Sequence, residues 1–125
     1  MKIEILVAAH KEFPMPKKEG YLPVLVGAVK NYKPGISYQR DDDGENISSK
    51  NPNYNELTAV YWAWKNLKDV DAIGLVHYRR LLFEKRPYSL DNVISIEKVN
   101  QLLQKYDVIL PKKRNYYIET NYSHY

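Results

Sequence analysis

Ala72-Ile73-Gly74-Leu75-Val76-His77-Tyr78-Arg79-Arg80 is the stretch whose reading decides the fold. Its first part, Ala72 to Tyr78, places Ile and Val around a Gly in an apolar run of strand length, followed at once by two arginines. The short connection Lys68 to Asp71 leads into it from a helical segment, Pro52 to Asn66. A helix feeding a strand, after an earlier strand, is the βαβ pattern, so the two strands are predicted to run parallel.

The earlier strand is Lys2 to Ala9, where Ile3, Ile5, Leu6 and Val7 form a nearly continuous apolar run that implies burial on both faces. A second apolar run, Tyr21 to Val29, is ambiguous between an edge strand and a short helix because it contains Pro23 and Gly27. Asn31 to Asn51 is mostly Gly, Pro, Asp, Asn, Ser and Lys and reads as a long loop, a kind of segment that is usually functional or disordered. In the helix that follows, Leu57, Val60, Tyr61, Trp64 and Leu67 share one face, and Asn53 with Glu56 has the spacing of a capping box. A second helix is predicted from Ser95 to Tyr106, with Ser95 as N-cap and Ile96, Val99, Leu102, Leu103 and Tyr106 as its apolar stripe. Val108 to Leu110 then reads as another buried strand, stopped by Pro111. The alternation gives an α/β fold with a mostly parallel sheet.

A length of 125 residues allows one modest core, and no apolar run approaches the ~20 residues that span a bilayer. Met1-Lys2 leads directly into a strand, so no signal peptide is expected. Cysteine is absent, which excludes disulfides and thiolate chemistry and makes a reducing cytoplasm the expected address. There are 12 Tyr against 2 Phe and 2 Trp, an excess that suits half-buried clefts and binding surfaces better than a sealed core. The net charge of +4 leans toward anionic partners but lies within the ordinary range for a small domain.

In an open parallel sheet, ligands bind beyond the carboxyl ends of the strands. Each predicted exit is basic: His10 and Lys11 after the first strand, His77, Tyr78, Arg79 and Arg80 after the middle one, and Lys112, Lys113 and Arg114 after the last. At any one exit, solvated cations are the plainer explanation. Three agreeing exits point to a shared phosphate or diphosphate site. Of the two adjacent arginines, one is expected to face the cleft and the other to pair with an acid such as Glu84 or an Asp of the long loop. His10 and His77 without a spaced third ligand are weak metal candidates.

Asp41-Asp42-Asp43-Gly44-Glu45-Asn46 is the dense acidic cluster. It fails the calcium-loop spacing, which leaves a Mg²⁺ or Mn²⁺ site as one reading and a self-bonded Asp/Gly turn as the plainer one. Asp69-Val70-Asp71 has Asp-x-Asp spacing but precedes its strand, at the sheet edge away from the proposed ligand, and is discounted. No Gly-rich dinucleotide or Walker loop and no Gly-x-Ser-x-Gly elbow is present.

Several ordered motifs together carry a resemblance: Val7-Ala8-Ala9-His10-Lys11, Tyr21-Leu22-Pro23 with Val26-Gly27-Ala28, Asp43-Gly44-Glu45-Asn46-Ile47-Ser48, Asn51-Pro52-Asn53-Tyr54 with Glu56-Leu57-Thr58, Tyr61-Trp62-Ala63-Trp64-Lys65-Asn66 and Ile73 through Arg80. The chain resembles a bacterial family encoded among capsular, exopolysaccharide and lipopolysaccharide genes, described as glycosyltransferases or as a domain of unknown function. The resemblance implies a GT-A-like (Rossmann-like) fold, a nucleotide diphosphate sugar donor with UDP-sugars favoured, and transfer to a surface glycan or lipid-linked glycan at the cytoplasmic face of the membrane. It implies that residues 1–125 are the N-terminal, donor-binding portion of one longer domain. Where better-known GT-A enzymes carry Asp-x-Asp at the middle strand exit, this sequence has His77-Tyr78-Arg79-Arg80, so arginine in place of Mn²⁺ is expected to neutralise the diphosphate. His10, Lys11, Asn46, Ser48, Asn53, His77, Arg79 and Arg80 are the expected donor-binding residues, no metal is required, and Asp41, Asp42 and Asp43 are the alternative Mg²⁺ or Mn²⁺ ligands. No catalytic base is identified.

Two other classes compete. Basic strand exits with Tyr116, Tyr117, Tyr122 and Tyr125 would suit a non-catalytic module binding anions or single-stranded nucleic acid, although no RNA-binding signature accompanies them. An inactive truncated fragment that keeps only the fold is the other.

Overall fold

The computed structural model describes residues 2–110. Strands β1 (Ile3–Ala9), β2 (Tyr21–Leu25), β3 (Gln39–Arg40) and β4 (Ala72–His77) form one sheet in the order β3-β2-β1-β4, with every pairing parallel. Helices α1 (Ala28–Asn31), α2 (Asn51–Tyr54), α3 (Leu57–Asn66) and α4 (Ile96–Leu103) flank it, with single 3₁₀ turns at Ser48–Lys50 and Leu90–Asn92. The α/β class and parallel sheet are as the sequence predicts, a Rossmann or GT-A-like arrangement.

β1 is central, paired on both edges, and Leu6, Val7 and Ala8 have no solvent exposure. A strand covered on both faces tolerates an unbroken apolar run, which explains its lack of alternation. On one face, Leu6 and Ala8 pack with Val24 and Val26 beneath Ala59, Trp62 and Ala63 of α3. On the other, Ile3 and Ile5 pack with Ile94 and with Val99 of α4. Fully burying side chains such as Leu6 and Leu25 stabilises the fold by about 1.5–3 kcal/mol each.

The ambiguous run at Tyr21 to Val29 resolves into β2, a left-handed turn at Gly27 (φ 61°) and α1. Pro23 is tolerated because β3 pairs only with Val24 and Leu25, so the outer edge of β2 at Pro23 has no strand beside it. The long loop is ordered in part, containing β3 and the 3₁₀ turn at Ser48–Lys50.

Several expectations are corrected. The helix predicted from Pro52 to Asn66 is broken at Asn55, whose φ of 52° ends α2 before α3 begins, and neither helix has a side-chain cap, so Asn53 and Glu56 form no capping box. The buried face of α3 is Thr58, Ala59, Trp62 and Ala63, whereas Leu57 and Trp64 are 56% and 67% exposed. Thr58, Ala59 and Ala63 let the helix lie close to the sheet around the buried Trp62, and the Thr58 hydroxyl finds a buried partner, so hydrophobic spacing passes over much of the inward face, although Leu67 of the predicted stripe packs against this core. Val108 to Leu110 is not a strand: Val108 and Leu110 are exposed, no described strand pairs with them, and Ile109 alone packs against the Ile3 and Ile5 cluster. The second helix starts as predicted, with the Ser95 hydroxyl accepting from Lys98 N–H at 3.1 Å, but it ends before Tyr106, which is exposed.

Candidate functional site

The parallel register brings two of the basic exits together. Ala8 sits opposite His77, and Tyr78 N–H donates to the Ala8 carbonyl at 3.2 Å, so the chain leaves β1 and β4 side by side. His10 meets Tyr78 edge to face with ring centroids 5.9 Å apart. Phe13 stacks on Tyr78 with centroids 3.7 Å apart and planes 15° apart. The Phe13 backbone is held in turn by one hydroxyl: Tyr38 Oη accepts from Phe13 N–H at 3.0 Å and donates to the Phe13 carbonyl at 2.7 Å. Composition and spacing give no sign of Phe13 or Tyr38. The available signal is that an aromatic in a polar, Pro-bearing loop needs an apolar partner, and Tyr78 is the aromatic at the neighbouring exit.

The cations surround this aromatic stack. Lys11 Nζ lies 5.1 Å from the Phe13 ring and the Arg79 guanidinium 5.3 Å from the Tyr78 ring. After His77 the chain turns back: Arg80 N–H donates to the His77 carbonyl at 2.8 Å, and Arg79 N–H donates to His77 Nδ1 at 3.3 Å. His77 Nε2 lies 3.9 Å from Glu56 Oε1 at the start of α3. Burial lowers the basicity of His77 below the ordinary histidine range; Glu56 opposes that, while Arg79, His10 and Arg80 add to it.

Among the described residues, Lys11, Arg79 and Arg80 are exposed and have no carboxylate within 4.0 Å. The expectation that one arginine pairs with Glu84 or with an Asp of the long loop is therefore not met. Glu84 Oε1 accepts from Ser95 N–H and lies 4.0 Å from Lys18, and Asp42 is engaged by Arg40. Uncompensated cations at the mouth of a sheet attract an anion from solution. Lys112, Lys113 and Arg114, the third predicted exit, lie outside the described residues, as do Tyr116, Tyr117, Tyr122 and Tyr125.

The acidic cluster is divided among different tasks. Asp41 is fully buried at the exit of β2, where Oδ2 accepts from Gly27 N–H at 2.8 Å and Thr58 Oγ1 at 2.6 Å, and Oδ1 from Ala28 N–H at 2.9 Å and the Ser48 hydroxyl. Gly27 is required here: its φ is left-handed, and a Cβ would stand 2.7 Å from Asn51 Oδ1. Both oxygens of Asp42 are taken by Arg40, Nε at 2.9 Å and Nη2 at 2.8 Å. Asp43 is exposed, and its backbone carbonyl accepts from Trp62 Nε1. The three carboxylates do not converge on one point, and among the described residues no group of three or more His, Asp or Glu is arranged to hold a metal.

Of the predicted donor residues, His10, Lys11, His77, Arg79 and Arg80 gather at the paired exits. Ser48 and Asn46 do not join them. Ser48 donates to Asp41 and accepts from Val29 N–H, and Asn46 bonds the carbonyls of Asp42 and Gly44 and the Ser48 N–H. Asn53 is exposed on the four-residue α2. Asp71 lies at the opposite sheet edge, accepting from Lys2 N–H at 2.7 Å, in keeping with its dismissal as a ligand. No described helix is long and apolar enough to cross a membrane.

Comparison with known proteins adds two findings. A family model described as a domain of unknown function (DUF4422) matches residues 4–125. The apo structure of the bifunctional glycosyltransferase WbbM is similar at 40% identity and a TM-score of 0.63, over 71% of this chain. The chain spans 16% of that protein's length. No curated protein matches.

Proposed function

From the premise that the chain belongs to the DUF4422 family, distantly related to a bacterial glycosyltransferase, we propose that residues 1–125 are the donor-binding part of a glycosyltransferase domain. The donor is a nucleotide diphosphate sugar, with UDP-sugars favoured, and the acceptor is a surface polysaccharide or a lipid-linked glycan reached at the cytoplasmic face of the membrane. The observation that carries this reading is the placement of Lys11 and Arg79 against the Phe13 and Tyr78 stack at the joined exits of β1 and β4, with Arg80 on the same turn and no carboxylate among the described residues within 4.0 Å of the three. Two flat rings beside guanidinium groups suit a ligand with an aromatic base and a diphosphate. Arg79 and Arg80 neutralise the diphosphate and stabilise it as a leaving group, with no metal required. Asp41 and Asp42 already serve Thr58, Ser48 and Arg40, which leaves little of the acidic cluster to hold Mg²⁺ or Mn²⁺.

The test is calorimetric titration of the chain with UDP-sugars and GDP-sugars, alongside a single-stranded oligonucleotide at two salt concentrations. Binding of UDP-sugars with shallow salt dependence supports the proposal. Tight oligonucleotide binding with a steep salt slope and no nucleotide-sugar binding replaces it with a nucleic-acid module.

A further inference from the structure

The His77 ring lies against Tyr78, centroids 4.2 Å apart, at the head of the turn that carries Arg79 and Arg80, and its ring nitrogens have different surroundings. Nδ1 accepts the Arg79 N–H at 3.3 Å, so the ring proton belongs on Nε2, which faces Glu56 Oε1 at 3.9 Å. Besides the stack of Tyr78 on Phe13, the turn that presents Arg79 and Arg80 is closed by two backbone bonds, Tyr78 N–H to the Ala8 carbonyl and Arg80 N–H to the His77 carbonyl. The side-chain bond to Nδ1 is the contact that fixes the Arg79 backbone between those two.

We propose that His77 is a positioning residue: its neutral ring, through Nδ1, holds the Arg79-Arg80 turn in the conformation that binds a diphosphate. The inference rests on the proposed donor site. Its consequence runs against simple electrostatics. A protonated His77 adds a positive charge beside the site and by Coulomb attraction alone would tighten anion binding. Protonation also places a hydrogen on Nδ1, which can no longer accept from Arg79, and the turn is released. The charged and titratable groups facing the ring are Glu56 from the start of α3, His10 from the exit of β1, and Arg79 and Arg80 on its own turn. Positioning therefore predicts weaker binding as the solution is acidified.

The test uses UDP-glucose, a diphosphate diester whose own charge stays constant from about pH 8 to 4, a range that extends below ordinary histidine titration because burial lowers the basicity of His77. Wild type is expected to bind about fivefold more weakly once His77 is charged, the equivalent of one hydrogen bond. His77→Asn offers Oδ1 in place of Nδ1 and cannot titrate, so it should keep the high-pH affinity and lose the pH dependence. His77→Leu should bind about fivefold more weakly at every pH. In parallel, the ¹⁵N shift of the Arg79 amide should follow His77 titration in wild type and stay flat in His77→Asn. Tighter binding on acidification, an Arg79 amide indifferent to His77 protonation, or unchanged affinity in His77→Leu overturns the inference. If no nucleotide binds at any pH, the donor-site proposal fails, and the Arg79 amide still decides whether His77 holds the turn.

Discussion

Phe13 lies flat on Tyr78, ring centroids 3.7 Å apart, and so ties the loop leaving β1 to the turn leaving β4. Aromatic pairs contribute about 0.5–1.5 kcal/mol beyond their burial. Phe13→Ala is expected to lower the thermal midpoint by a few degrees and to weaken UDP binding, because Lys11 and His10 lose the surface that orders their loop. Calorimetry on the variant reads both, and unchanged nucleotide affinity would detach this stack from the site.

Asp41 is the polar centre of the fold's other strand exit. Asp41→Ala would strand the Gly27 and Ala28 N–H groups and the Ser48 and Thr58 hydroxyls, which are buried with it. An unsatisfied buried donor costs about 1–3 kcal/mol, so a loss of at least ~3 kcal/mol in urea unfolding is expected. Asp42→Ala, which removes a pair with the solvent-facing Arg40, should cost less than Asp41→Ala. Equal effects from the two variants would contradict the separation of roles.

The inward face of α3 is tested by a pair of tryptophans two residues apart. Trp62 is 5% exposed and donates from Nε1 to the Asp43 carbonyl, so Trp62→Ala is expected to cost about 3–5 kcal/mol. Trp64 is 67% exposed, and Trp64→Ser should stay within about 0.5 kcal/mol of wild type. The reverse order in urea unfolding would restore the face that hydrophobic spacing alone suggests.

Tyr21 donates its hydroxyl to the Ile94 carbonyl, and burial, with a lesser contribution from Glu84, pushes its pKa up to about 12. Because the fold favours the protonated phenol, this contribution to stability is complete below about pH 10, the unfolded value, and is lost as pH rises toward the folded one. Tyr21→Phe should cost about 1 kcal/mol at neutral pH and show a weaker loss of stability under alkali than wild type. Thermal unfolding across the alkaline range checks both halves.

Much of the architecture was legible because β1, β4 and α4 announce themselves locally: a continuous Ile and Val run, an apolar strand after a short connection, and Ser95 capping an apolar stripe. The inward face of α3 was not legible, because periodicity weighs Leu57 and Trp64 above Ala59, Ala63 and Thr58, while packing against a sheet favours the small residues. Val108 to Leu110 has strand composition but no described partner, and pairing is not a local property. At the site, basic strand exits could be read from order along the chain, since parallel strands bring His10 and His77 to one edge. The role of Asp41 could not, because its donors come from Gly27, Ala28, Ser48 and Thr58, brought together only by the fold. The tyrosine excess proves partly structural: Tyr38 and Tyr21 use their hydroxyls to fasten backbone, and Tyr78 alone of these lies at the proposed site.

The most direct test is titration of UDP into wild type, Arg79→Ala and Asp42→Ala, each in EDTA and again with Mn²⁺. The account predicts wild-type binding in EDTA that Mn²⁺ leaves unchanged, about tenfold or greater loss in Arg79→Ala, and near wild-type affinity in Asp42→Ala. Binding that requires Mn²⁺ and disappears in Asp42→Ala while surviving Arg79→Ala would contradict it and move the diphosphate from the arginine turn to the acidic loop.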